Sequence, residues 1–232
     1  MLKNPFSELK KGEWILWAIS MTVVFISNLV TGEVNIITLL ATLRGVTALI
    51  FVARGDVWGQ ILTVVFSVLY SITSLKFHYY GEIITYLGMS APIAVMSIIS
   101  WLKNPYKKGK NEVKIRHLRA RDVALCVILT FFVTVMFYFI LRILGTPNLI
   151  VSTVSITTSF LASYLMFMRN SYYALAYAAN DIVLIVLWIF ATIENIMYLP
   201  MIACFTIFLV NDIYGFVSWK LREKKQAQGY LA

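Results

Sequence analysis

Residues 39–103 and 151–222 carry the same hydrophobic pattern in the same chain direction. Each stretch holds three long apolar segments. A short basic turn follows the first, Val52-Ala53-Arg54-Gly55 in one copy and Met168-Arg169-Asn170 in the other. An aromatic residue opens the second segment (Trp58, Tyr172), and each copy closes on a tryptophan run, Ser100-Trp101-Leu102-Lys103 or Ser218-Trp219-Lys220. The offset is 115 residues at the arginines and 118 at the tryptophans. A duplicated three-helix bundle restricts the chain to two like halves meeting at a seam, the plan on which several membrane carriers build a substrate path.

The surrounding medium follows from composition. Sixty per cent of the residues are hydrophobic, mean hydropathy is +0.79 and 13% are charged, against about 25% charged in a soluble domain. Apolar runs of about 20 residues match the hydrocarbon thickness, and helices satisfy their own backbone there. Eight helices are expected, near 14–31, 34–53, 57–76, 82–102, 122–142, 149–168, 171–192 and 197–220. The basic start (Lys3, Lys10, Lys11) leads into a full-length span without a small-residue cleavage site, so it reads as an anchor. The fold class is an all-α integral membrane protein with eight transmembrane helices. An extra N-terminal helix (1–33) precedes the first repeat (34–103). A basic loop and linking helix (104–148) then lead to the second repeat (149–222) and a tail (223–232). The linking helix turns the chain around, so both repeats enter the membrane in the same sense.

Placing both termini and the basic 103–121 loop in the cytoplasm puts all but Arg44, Lys76 and Arg142 of the 20 Lys and Arg inside. This predicts a multi-pass membrane protein with both ends cytoplasmic. Topology and anionic headgroups account for the net charge of +9, so no nucleic acid partner is implied. Trp14, Trp17, Trp58, Trp101 and Trp219 fall near the inner interface, where an aromatic belt would hold them.

Polar residues inside spans are costly and point inward. Asn180-Asp181 in the seventh span and Asn211-Asp212 in the eighth are the most specific such signal, with ligand contact or helix–helix pairing, including pairing with Arg44, as the competing roles. In the third span Gln60, Thr63, Ser67, Tyr70 and Ser74 share one helical face and suit a wet path. Ser152, Ser155 and Ser159 form a shorter stripe, read as close packing. Trp188 shares a face with Asp181, and Tyr214 with Asn211; each ring could stack on a flat ligand or anchor a span. Pro92 lies where it could kink the fourth span. Cys126, Cys204, His78 and His117 form no metal or catalytic spacing, so no cofactor and no enzyme is expected. No phosphate-binding glycine loop occurs, which argues against direct ATP drive, while coupling to an ion through Asp181 or Asp212 stays open.

The run from Thr47 to Glu82, with Val52-Ala53-Arg54-Gly55, Trp58, Tyr70 and Tyr80-Gly81-Glu82, resembles the PnuC family of bacterial vitamin-precursor transporters. So does Asn211-Asp212-Ile213-Tyr214-Gly215 with Trp219. The resemblance implies nicotinamide riboside uptake by facilitated diffusion through a SWEET-like fold assembled as a homotrimer. It implies ligand contact by Gln60, Asn180, Asn211, Trp188 and Tyr214, then Trp58 and Tyr70, with Asp181 and Asp212 suiting a cationic ring. Relatives carry thiamine or riboflavin, and Tyr172, Tyr173 and Tyr177 replace the tryptophans associated with riboside carriers.

Overall fold

The computed structural model describes residues 3–30, 36–76, 80–107, 109 and 111–228. A short 3-10 turn, Pro5–Glu8, precedes α1 (Lys11–Val30). The first repeat is α2 (Ile36–Ala53), α3 (Val57–Lys76) and a broken third member, α4 (Tyr80–Thr85) with α5 (Ala91–Lys103). The linking helix is α6 (Ala120–Ile143). The second repeat is α7 (Leu149–Phe167), α8 (Tyr173–Glu194) and α9 (Leu199–Gln228). Six stretches are long and apolar enough to cross a membrane, and α2 and α3 add shorter apolar runs, Leu39–Ala53 and Val57–Ile72.

The fourth span, expected as one helix, is interrupted by a π turn at Tyr86–Ser90. Pro92 explains it. Proline has no N–H to continue the helix, and its ring would press on the carbonyl four residues back. The wider turn relieves that crowding, with the Ala91 N–H bonded to the Tyr86 carbonyl. At the other end of the chain, α9 runs past the expected limit at 220 to Gln228.

The seam between repeats is two-fold. Helix α2 packs on α9, and its counterpart α7 packs on α5. Helix α1 stands against α2 and α9, and α6 stands against α7. Within the first repeat α2 and α3 approach so closely at Gly59 that a Cβ there would sit 2.5 Å from the Val52 nitrogen. Only glycine fits this crossing.

The basic linker does not hang free. Val113 and Arg116 bond the turns after α2 and α7, and the buried Gln226 amide of α9 bonds Ile115, Val113 and Glu112. Arg222 pairs with Glu112 at 2.9 Å and His117 with Glu223 at 3.1 Å. Beside it, α1 is pinned by a buried pair, Arg54 Nη1 to Glu13 Oε2 at 2.7 Å, and Arg54 also bonds the Glu8 carbonyl.

Trp101 and Trp219, expected as belt anchors, are buried inside the protein at 2% and 0% exposure. Trp14 is exposed, as an anchor would be. Arg44, weighed as a partner for the acids, points out of the bundle on the exposed face of α2 with Leu40 and Ile36. Lys76, Ser74, Glu82 and His78 have side chains outside the described residues.

Candidate functional site

Two abutting cavities lie along the seam. The inner chamber, about 100 Å³, is walled by α2, α3, α7, α8, α9 and the π turn. The larger vestibule, about 430 Å³, lies at the end remote from the basic linker, among the α6–α7 connection, α7 and the end of α8. Tyr86, Ser159, Asn180 and Leu184 line both, so they form the constriction between them.

Asn180, Asp181 and Asp212 come together in the chamber. Helix α8 presents the first two and α9 the third, because those helices pack closely against each other. The Asn180 amide oxygen accepts hydrogen bonds from Thr158 at 2.8 Å and Ser155 at 3.3 Å on α7. Asp181 and Asp212 lie within hydrogen-bonding reach of each other, and Asp181 Oδ2 has no partner. No Lys, Arg or His stands among the described residues that line either cavity, whereas Glu194 adds a carboxylate to the vestibule.

Aromatic faces complete the chamber: Phe66 from α3, Tyr86 from the π turn, Tyr173 and Tyr177 from α8, Phe208 from α9. Tyr177 is fixed by a 2.8 Å hydrogen bond to Ser163. Thr63 and Ser67 from the polar stripe also line it, but their hydroxyls donate to carbonyls of their own helix.

The other expected contacts separate. Trp188 lines the vestibule, its ring 5.6 Å from Tyr198 and its buried indole N–H without a partner. Gln60 is wholly buried one turn from Thr63 toward the basic end, and neither amide atom has a partner. Tyr70 stands behind the wall, 4.5 Å from the Tyr86 ring. Trp58 donates to the Lys3 carbonyl near the basic linker. Asn211 and Tyr214 turn away from the chamber toward α1, where Asn211 bonds Ser20 at 2.9 Å and Tyr214 bonds Glu13 at 3.0 Å. Adjacent positions on a helix point about 100° apart, so Asp212 faces the chamber while Asn211 faces the neighbour. The serines read as packing do line a cavity, since Ser152, Ser155 and Ser159 wall the vestibule.

The family model for nicotinamide mononucleotide transporters matches residues 35–221. The chain belongs to this transporter family. A curated relative of the family's chemistry, the nicotinamide riboside transporter PnuC of Neisseria mucosa, is 24% identical over 219 residues, covering 92% of this chain and 82% of that protein. A crystal structure of the vitamin B3 transporter PnuC superposes with a TM-score of 0.79 over 94% of both chains at 21% identity, which establishes the shared fold.

Tyr86, Phe66 and Phe208 were not singled out from the sequence of this family member. The signal for Tyr86 was Pro92, six residues on, which marks the π turn that Tyr86 opens.

Proposed function

We propose that the protein carries nicotinamide riboside through the chamber between its repeats, by facilitated diffusion with alternating access. The supporting observation is the charge of the lining. Asp181 and Asp212 wall the chamber, Glu194 walls the vestibule, and no cationic side chain offsets them among the described lining residues. A mononucleotide would bring a phosphate dianion against this acidic lining, which offers it no cation, at a cost that grows as water is excluded. The riboside has no phosphate, and its pyridinium ring is a flat cation suited to tyrosine faces and a carboxylate. Its sugar hydroxyls and carboxamide suit the Asn180 amide. The name of the Neisseria relative agrees with this choice.

The working unit is taken as a homotrimer in a bacterial plasma membrane, with both termini and the basic linker on the cytoplasmic side, where positively charged loops are retained. Roles in ligand contact fall to Asn180, Asp181, Asp212, Tyr86 and Tyr177, with Trp188 meeting the ligand in the vestibule.

Proteoliposomes containing only this protein test the reading. Labelled nicotinamide riboside should equilibrate saturably without an ion gradient, with thiamine slower and riboflavin and nicotinamide mononucleotide excluded. Accumulation that requires a proton or sodium gradient, or faster uptake of the mononucleotide, would overturn it.

A further inference from the structure

At the basic end the repeats bind each other through corresponding atoms. After α2, Gly55 takes φ 69°, its N–H bonds the Val52 carbonyl at 2.8 Å, and the Asp56 N–H bonds Phe51 at 2.9 Å. After α7, Arg169 takes φ 60°, its N–H bonds the Met166 carbonyl at 2.9 Å, and the Asn170 N–H bonds Leu165 at 3.0 Å. Both are Schellman turns, so Val52 corresponds to Met166. The Trp219 indole N–H, from the last helix of the second repeat, donates to the Val52 carbonyl at 2.8 Å. The Trp101 indole N–H, from the last helix of the first repeat, donates to the Met166 carbonyl at 3.2 Å. Each repeat thus holds the end of the other's first helix, and the two indoles lie 5.6 Å apart between them.

The linker repeats this symmetry. The Val113 N–H bonds the Gly55 carbonyl and the Arg116 N–H bonds the Arg169 carbonyl, both at 2.9 Å. A three-residue step of chain therefore ties the corresponding turns of both repeats. The tie sits directly under the chamber, since Val52 and Met166 line it, and so does Tyr173, whose ring is 4.8 Å from Trp219. The vestibule lies at the other end.

Resting on the reading of the chamber as a transport path, we propose that Trp101 and Trp219, secured by the Val113–Arg116 strap, are the gate residues at the basic end. Passage toward that end requires both indole hydrogen bonds to release and the two turns to separate as rigid bodies. One hydrogen bond of ordinary strength biases such an equilibrium about fivefold.

A single cysteine at Thr63→Cys, in a background of Cys126→Ala and Cys204→Ala, reports access to the chamber. The probe is trimethylammonioethyl methanethiosulfonate, a small membrane-impermeant cation, applied to one side of oriented proteoliposomes at a time. The parent should react from the vestibule end. Trp101→Phe and Trp219→Phe keep an aromatic side chain and remove the donor, and each should raise the rate from the basic end about fivefold, the pair more than tenfold. An unchanged rate from the basic end in the double variant, at an unchanged melting temperature, overturns the gate. Arg116→Cys with Asn170→Cys, combined with Gly55→Cys and Val113→Cys, staples the strap to both turns and gives a check independent of the tryptophans. Oxidation should stop riboside uptake and reduction restore it, and uptake that persists once both disulfides are complete overturns the strap. No reaction from either end in any variant would instead remove the transport path itself, and the gate with it.

Discussion

Thr158 on α7 donates a 2.8 Å hydrogen bond to the Asn180 amide oxygen on α8, and Ser155 adds a second at 3.3 Å. Both bonds end on the oxygen. The amide nitrogen is therefore the group that Asn180 can offer a ligand, and α7 sets its orientation. Asn180→Ala should lower riboside affinity about tenfold, and Thr158→Val about threefold through lost orientation. Isothermal titration on purified protein checks both, with melting temperature as the control for folding.

Asp181 and Asp212 are expected to select for positive charge. Asp181→Asn with Asp212→Asn should weaken binding of nicotinamide riboside about tenfold or more, while improving that of its phosphorylated form relative to the riboside. Competition between the two ligands for a labelled riboside measures the ratio directly.

Gly59 tests the close crossing of α2 and α3. A Cβ there would meet the Val52 nitrogen and Cγ2 at 2.5 Å, and neither backbone can yield without shifting the helix. Gly59→Ala should cost about 2 kcal/mol, read as a melting temperature several degrees lower in detergent.

The turns at the basic end give a prediction of opposite sign. Arg169 occupies the left-handed position that glycine occupies at Gly55. Arg169→Gly removes the steric cost of that conformation and should stabilise the protein by about 1 kcal/mol, since the half-exposed Arg169 side chain gives up little packing. Thermal unfolding of the variant beside the parent decides it.

Asp56 introduces a dependence on pH. Burial raises its pKa above the ordinary carboxylate value, opposed by hydrogen bonds from the Trp58 N–H and the Asn111 amide. A raised folded pKa means that its protonated form favours folding. That contribution is full below the unfolded pKa and is lost as pH rises through the folded value. Asn170 fills the corresponding place in the second repeat, where its oxygen accepts the Tyr172 N–H at 3.1 Å. Asp56→Asn should therefore be tolerated and should flatten the fall in melting temperature between mildly acidic and neutral pH. A steeper fall in the variant would contradict this assignment.

The number of spans and the repeat were legible because bilayer thickness and backbone satisfaction leave a chain of this composition few alternatives. The inward placement of Asp181 and Asp212 was legible for a related reason, since an acidic group at that depth must face the protein interior. The placement of Asn211 and Tyr214 was not, because the groups they bond, Ser20 and Glu13, come from a helix about two hundred residues away. Trp101 and Trp219 looked like belt anchors, since depth along a span says nothing about which way a ring turns. Aligning the repeats on their arginines also missed by one residue. Turn geometry pairs Arg169 with Gly55, a correspondence that only the backbone reveals.

The central claim is that the ligand sits between the repeats against Asn180, Asp181 and Asp212. A structure determined with nicotinamide riboside bound tests it most directly. The account predicts density in the chamber, with the ring between tyrosine faces and the ligand within hydrogen-bonding distance of the Asn180 amide nitrogen. Ligand density on the α1 side, at Asn211 and Tyr214, with the chamber still closed around its own side chains, would contradict it.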